Sequence, residues 1–481
     1  MASEAPPEAS HSRELLRDRT AVRLGLVVFL LGVAVSLPRT LLNSDEALYL
    51  DQALAFAQCE RSPVRLDPET LTPRSAPPGP YPLGTPLLQA LGVLVAGSWR
   101  GAYLVSVVGV VTGVLATARL LELFQLPSAA ALLILVFPTT HFCARLAMSD
   151  APSLACVALA LVLVARGTAR GGRLAWLGAG LLGGASLLLR ETNPLVLGPF
   201  FLGALLRGVP AAGWAVAGGV AGASLRPLAA WWVHGDPWYV KDPGWGFSLS
   251  TLADNLPLYA FALLVMTPGG LVAAATYRGP RRAELLAALG AFVGLYLIYE
   301  YSALESGGAR RVVLATRFLL PALPLLCLAM ADLARRRGLT SALRRALVGG
   351  AALASIAAPV AFRVHGGGRE VLARAIEEAL PPGALVVTNV DATGKLLLGL
   401  DRSRGVIDYE LVPGVEAERL AKRHGSLRLA LLDRGGSPRW EEKTRRNERY
   451  HADIASRLEL SPVTDVRAAG ERLRVWLATP R

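Results

Sequence analysis

Eleven ionisable side chains standing inside or beside long apolar runs are the residues of this chain best able to do chemistry. Arg145, Asp150, Arg190, Glu191, Arg226, Glu300, Arg310, Arg311 and Arg317 flank or interrupt such runs, and Asp45 and Glu46 stand together in a polar stretch ahead of them. A charge near the centre of a bilayer costs at least about 2.5 kcal/mol, so charges that persist there face a partner or a cavity. Guanidinium forks match phosphate oxygens, and a carboxylate among them can take a proton from a hydroxyl. That mixture suits a reaction in which a lipid-linked phosphate leaves while a hydroxyl, activated by Asp45, attacks.

Plainer readings stand beside these. Asn43-Ser44-Asp45-Glu46 precedes a helical run from Ala47 to Gln58, so Asn43 or Ser44 is a natural N-cap, and acids in a first turn offset the helix dipole. Successive helical residues point about 100° apart, so only one of Asp45 and Glu46 can address a given hydroxyl. Arg145 with Asp150 also reads as a structural ion pair, Arg310 and Arg311 as solvated loop residues, and Arg226 as a side chain snorkelling to the interface. His141 and His234 have no zinc-site spacing and read as structural. Asp45, Glu46 and Asp150 have the chemistry to hold a hard divalent cation against phosphate, which leaves metal dependence open.

The elements that must position these residues are membrane spans. The 481 residues are 53% hydrophobic and 18% charged, against about 25% charged in soluble domains. Mean hydropathy is +0.41. The net charge of +13 lies in short clusters between apolar runs with no aromatic-interleaved basic patch, which argues against a nucleic-acid partner. Cys143, Cys156 and Cys327 lie in apolar runs and Cys59 in a polar loop, so neither a disulfide framework nor a metal spacing is present. A window of about 20 residues gives about 11 spans, at 21–38, 100–122, 127–143, 149–166, 173–189, 192–207, 211–233, 255–277, 284–302, 316–334 and 343–362. The shorter apolar stretch 86–97, preceded by Pro77-Pro78-Gly79-Pro80 and Pro86, reads as re-entrant or interfacial.

Arginines of the short loops set the orientation. The N-terminal tail, Arg166-Arg170-Arg173, Arg207, Arg278-Arg281-Arg282, Arg335-Arg336-Arg337 and Arg344-Arg345 share one side, the cytoplasm. The loops 38–99, 234–254 and 305–317 and everything after Arg363 then face outward. The domain expectation is a cytoplasmic tail 1–20, a transmembrane domain 21–365 with a first exoplasmic loop 39–99, and a soluble α/β exoplasmic domain 366–481. In that last part, helical patterns at 370–380 and 415–423 alternate with strand-like 385–387 and 427–432. Thr393-Gly394-Lys395 lacks the upstream glycine of a phosphate-binding loop and reads as a turn with a surface lysine. The expected location is a bacterial inner (plasma) membrane, with membrane lipids as surroundings, and the Ala, Gly and Arg bias suggests a high-GC source.

Several segments resemble a known family in the right order over residues 20–335. Asp45-Glu46-Ala-Leu-Tyr49, Pro80-Tyr81-Pro82-Leu-Gly84-Thr-Pro86, Arg145 with Ser149-Asp150, Arg190-Glu-Thr-Asn193-Pro, Gly235-Asp236-Pro237 and Arg317-Phe-Leu-Leu-Pro321-Ala-Leu-Pro324 resemble glycosyltransferases of GT-C fold. The nearest groups are the protein O-mannosyltransferases and the aminoarabinose transferases of lipid A. The resemblance implies a transferase that moves a sugar from a polyprenyl-phosphate donor to an exoplasmic acceptor, with inversion at the anomeric carbon. It implies Asp45 as general base, Glu46 as its acidic neighbour, Asp150 as a second pocket acid and Arg317 as a phosphate contact. Arg145 and Arg190 are assigned to donor phosphate or pocket structure on charge and placement. Many lipid A transferases carry a lysine where Tyr81 stands, so their donor and acceptor choice does not transfer, and Tyr81 itself becomes a candidate substrate contact. The competing classes are a transporter or flippase of lipid-linked sugars, and a polysaccharide ligase or polymerase. Charges at the outer rim and the absence of an internal repeat weigh against a transporter.

Overall fold

The computed structural model describes residues 7–240, 246–304, 309–389, 403–409, 412–434, 438–468 and 470–481; Thr393-Gly394-Lys395 falls outside them. The chain forms two compact units. One comprises Met1–Ser36, Pro82–Thr85 and Tyr103–Pro359, and the other Leu37–Tyr81, Pro86–Ala102 and Val360–Arg481.

The first unit is helical and its core is apolar, as an α-helical polytopic membrane protein requires. Among the described residues five helical stretches are long and apolar enough to cross a membrane: Trp99–Leu123, Asp150–Arg170, Leu249–Met266, Arg311–Arg336 and Thr340–Ala379. Gly84–Ala96, Arg173–Leu188 and Asn193–Leu206 are shorter apolar helices. Outward helix faces stay apolar, with Leu174 on Arg173–Leu188 83% and Val220 on Gly213–His234 67% exposed, because in lipid those faces need no polar cover.

Three expected spans are broken, one of them, 284–302, where its helix ends at Leu297. The 127–143 stretch is a 3-10 turn (Ser128–Leu132) followed by helices Leu133–Val136 and Pro138–Cys143, with Phe137 in extended backbone between the last two. Proline disfavours the helical region for the residue before it, which accounts for the extended Phe137 at this break. It is tolerated because Leu132, Leu133, Ile134, Leu135 and Phe137 are fully buried in protein. Between Leu252–Phe261 and Gly270–Ala275 the chain passes through a π turn and Gly269 at φ 72°. There the Thr267 hydroxyl donates to the carbonyls of Ala262 and Leu263, both at 3.1 Å, and its amide donates to Ala262 as well.

Glycines fix one helix pair. Gly180 and Gly184 on Arg173–Ala185 meet Gly218 and Gly222 on Gly213–His234, two matched small-xxx-small patterns. A Cβ at Gly218 would lie 2.1 Å from the Leu177 carbonyl oxygen, and one at Gly222 2.2 Å from that of Leu181. Gly218→Val should therefore force the helices apart. Its expected result is a large loss of monodisperse protein on size exclusion in detergent, whereas Gly290→Ala, with open space around it, should behave as wild type.

The second unit joins the first polar loop to the C-terminal domain. The loop contributes the helix Ser44–Ala57 and a hairpin of β1 (Val64–Leu66) and β2 (Pro73–Ser75). The C-terminal domain holds β3 (Leu385–Thr388), β4 (Gly405–Asp408), β5 (Leu427–Arg434), β6 (Leu458–Ala468) and β7 (Glu471–Pro480), in the order β4-β3-β5-β7-β6. β3 runs parallel to β4 and β5, while β7 is antiparallel to β5 and β6. Alternation along the strands divides the core. Leu385, Val387, Leu427, Leu429 and Leu431 pack with Ala417, Leu420 and Ile454 of the helices Gly414–His424 and Pro438–Arg457. Val386, Ala430, Leu432, Leu473 and Val475 pack with Leu372, Ile376 and Ala379 at the end of the Thr340–Ala379 helix. This is the small α/β domain expected from the sequence. The helix Pro438–Arg457, β4 and the β6–β7 hairpin are additions to that expectation.

The loop is bound to this domain. Glu69 pairs with Arg419 and, at 2.8 Å, with Arg423, and His424 Nε2 lies 3.1 Å from the Pro68 carbonyl oxygen. Leu71 packs into the sheet's apolar cluster. Asp67 closes the hairpin turn by accepting from the amides of Glu69 and Thr70, and its ion pair with Arg74 holds its carboxyl below the usual range.

Candidate active site

The Asp45 turn is built by its own helix. Asn43 is the N-cap, with its side chain accepting from the Asp45 amide at 3.3 Å. Glu46 completes the capping box: its Oε2 accepts from the amides of Leu42 and Asn43, both at 2.8 Å, and the residue is fully buried. Where the sequence offers Glu46 as a pocket acid, the structure commits its carboxylate to the helix start, because two buried amides there need an acceptor. Asp45 is half-buried, one residue earlier on the turn. Tyr81 stacks on Tyr49 of the same helix, with ring centroids 4.5 Å apart and planes 10° from parallel. Gln52, also on this helix, accepts from the Gly79 amide at 2.9 Å and donates to the Arg61 carbonyl at 2.8 Å, holding the two ends of the 61–79 segment.

From the other side of this turn comes Arg369, a residue the sequence reading did not single out. It is 2% exposed, donates to the carbonyls of Leu41 (3.4 Å) and Leu42, and lies 3.7 Å from Glu471 Oε1 on β7.

The membrane unit holds the other candidates. Asp150 opens the helix Asp150–Arg170, a position the dipole favours for an acid, and its Oδ1 accepts from Arg190 Nη1 at 2.6 Å. Its Oδ2 is buried with no hydrogen-bond partner among the described residues. The Arg190 guanidinium lies 4.7 Å from the centroid of Phe318, and that of Arg317 lies 5.1 Å from the same ring and 5.8 Å from Tyr301. Phe318 is stacked on Tyr296 at 4.8 Å and flanked edge-on by Tyr299 and Tyr301, both at 5.8 Å. The structure thus brings Asp150, Arg190 and Arg317 together on an aromatic frame. The frame went unread in the sequence, although Tyr296, Tyr299 and Tyr301 form a dense run and Phe318 adjoins Arg317.

Arg145 is set apart from that cluster by its partners. Its guanidinium donates to Ser36 Oγ (2.7 Å), the His141 carbonyl (2.8 Å) and the Gly32 carbonyl (2.8 Å), tying the Pro7–Ala34 helix to the broken segment. The ion pair of Asp150 is with Arg190, not with Arg145. Arg226 pairs with Glu191, and Arg311 donates to the carbonyls of Ser302 (2.8 Å) and Asp254 (2.9 Å) instead of standing solvated. Glu300 accepts from the Gly246 amide at 2.8 Å. The side chain of Arg310 lies outside what the structure describes. Among the described residues no group of three or more His, Cys, Asp or Glu is arranged to hold a metal ion, so the divalent-cation option has no ligand set there.

No protein-family model matches the chain, and no curated protein matches it. Solved structures do. ArnT from Cupriavidus metallidurans bound to undecaprenyl phosphate superposes with a TM-score of 0.59 at 16% identity, covering 95% of this chain and 97% of that one. The apo state of the same ArnT gives 0.59 at 15% identity with the same coverage. The apo oligosaccharyltransferase of Archaeoglobus fulgidus gives 0.49 at 13% identity, over 88% of this chain and 69% of that one. The chain has the GT-C fold. Near-complete coverage of ArnT in both directions includes the C-terminal domain, so this GT-C protein carries its sheet domain as part of the shared architecture and not as an appendage.

Proposed function

We propose that this GT-C protein is a membrane glycosyltransferase that takes a sugar from a polyprenyl-phosphate donor and attaches it to an exoplasmic hydroxyl. The observation that carries the reading is the buried Asp150–Arg190–Arg317 cluster, framed by aromatic rings, on a fold shared with an ArnT structure bound to undecaprenyl phosphate. Arginine forks suit a phosphate dianion, and a desolvated setting strengthens them. In the reaction the acceptor oxygen attacks the anomeric carbon, Asp45 takes the hydroxyl proton, and the bond from the anomeric carbon to the phosphate oxygen breaks. Arg190 and Arg317 hold the polyprenyl phosphate as its charge grows, and Asp150 orients Arg190. Tyr81, on Tyr49, offers a flat surface to a sugar. Single displacement of this kind inverts the anomeric centre.

The contact between loop and tail supports the placement of both on one side of the membrane. Glu69 and Arg419 belong to segments separated by the membrane helices, and their pairing requires an even number of crossings between them. The ten spans expected between residues 100 and 362 satisfy this, and an eleventh at 86–97 would not. Reporters inserted in the 60–62 turn and fused after Arg481 should therefore both be active only outside the cytoplasm; opposite signals would exclude the topology. For the activity, membranes containing the chain should transfer radiolabelled sugar from an undecaprenyl-phosphate donor, tested across hexose and pentose donors. Absence of transfer from every donor of that class would exclude the reading.

A further inference from the structure

We propose that Arg369 is a positioning residue for Asp45, and that the C-terminal domain serves the reaction by gripping the loop that carries this base. The proposal rests on the transferase reading above. The turn entering the Ser44–Ala57 helix is held on both sides of its peptide groups. On the amide side, Glu46 binds the N–H groups of Leu42 and Asn43. On the carbonyl side, Arg369 donates to the oxygens of Leu41 and Leu42. The first set is internal to the helix and would persist in an isolated loop. The second comes from a residue more than 320 positions away.

Three features make Arg369 more than a chance contact. It is 2% exposed, and a buried guanidinium needs partners for its charge and its donors. Its charge is met by the buried Glu471 of β7, 3.7 Å away. Further along the same loop, in its hairpin turn, Glu69 is latched by Arg419 and Arg423 of the Gly414–His424 helix. The loop is therefore held at two points by the sheet domain, with Asp45 three residues beyond the carbonyl nearest Arg369. A general base contributes only if held within hydrogen-bond reach of the proton it takes, so loosening this grip should act on turnover more than on donor binding.

The test uses the full chain in lipid nanodiscs with whichever synthetic undecaprenyl-phosphate sugar the wild type turns over. Arg369→Gln should lower kcat at least tenfold with the donor KM within twofold, and should change the pH dependence of kcat. Amide exchange by mass spectrometry should quicken across residues 41–47 while 427–434 and 471–480 stay protected. Arg369→Lys, which keeps the charge without the fork, should recover part of the turnover. Because losing a buried arginine can unfold a domain, Glu69→Arg provides a surface alternative: facing Arg419 and Arg423 it repels where the native residue attracts, and should lower kcat about threefold. A folded Arg369→Gln protein with wild-type kcat and pH profile overturns the proposal. If that variant does not fold, wild-type kcat in Glu69→Arg overturns it instead. A wild-type protein that transfers no sugar defeats the transferase reading and this proposal together, whereas an active wild type with unaffected variants defeats this proposal alone.

Discussion

Asp45→Asn is expected to lower sugar transfer by about 10²–10⁴-fold, the usual contribution of a positioned general base, while the protein accumulates in membranes at wild-type levels. The two roles open to Asp45 make opposite demands on this one experiment. If the carboxylate only offsets the helix dipole, its loss costs about 0.3–1 kcal/mol and leaves activity nearly intact. The cap itself does not depend on it, because the Asp45 amide, which asparagine retains, donates to Asn43, and the buried carboxylate of Glu46 closes the box. Asparagine is moreover isosteric and cannot accept a proton at neutral pH. Measuring turnover and thermal midpoint on the same preparation separates the cases: a large fall in turnover with little shift in midpoint identifies the base. Unchanged turnover would remove Asp45 from the chemistry. Glu46→Gln should show the complementary pattern, a lowered midpoint, since its carboxylate is occupied by two amides.

How far the sequence carries is decided by where each signal lives. Hydropathy is a local sum, so the helices Ala102–Leu123 and Asp150–Arg170 fall where the apolar windows expect them. The breaks at Pro138 and Gly269 are local too, but a window of about 20 residues averages over them. In the tail, 385–387 and 427–432 announced themselves as apolar runs. Glu471-Arg-Leu473-Arg-Val475 carries the alternation of a half-buried strand, with Leu473 and Val475 buried, and was legible though not read. The helix Pro438–Arg457 escapes because it is so polar that only positions such as Asn447 and Ile454 are buried. Pairings are another matter. Charge type alone nominated Arg145, Asp150 and Arg190 together, yet only three-dimensional packing decides that Asp150 takes Arg190 while Arg145 is spent on Gly32, Ser36 and His141. Arg369 is the extreme case, since no spacing connects it with Leu42.

Arg190 and Arg317 share one ring, yet their replacement should fail in different ways. Arg190→Gln removes the partner of Asp150, whose side chain is 2% exposed, and an uncompensated buried charge costs about 3–5 kcal/mol. The expected result is a lower thermal midpoint and reduced folded yield before any effect on ligand can be measured. Asp150→Asn combined with Arg190→Gln removes both charges together and should recover most of the lost stability, so the double-mutant cycle yields a coupling of several kcal/mol. Arg317 has a different setting. It faces Met148 Sδ at 3.6 Å and the rings of Phe318 and Tyr301, contacts that glutamine can partly replace. A charge-assisted bond to a phosphate contributes about 1.5–3 kcal/mol, and each 1.4 kcal/mol is a factor of ten. Arg317→Gln should therefore fold, and bind undecaprenyl phosphate about 10- to 100-fold more weakly in a detergent titration. Undiminished binding by folded Arg317→Gln would move the phosphate site away from this ring.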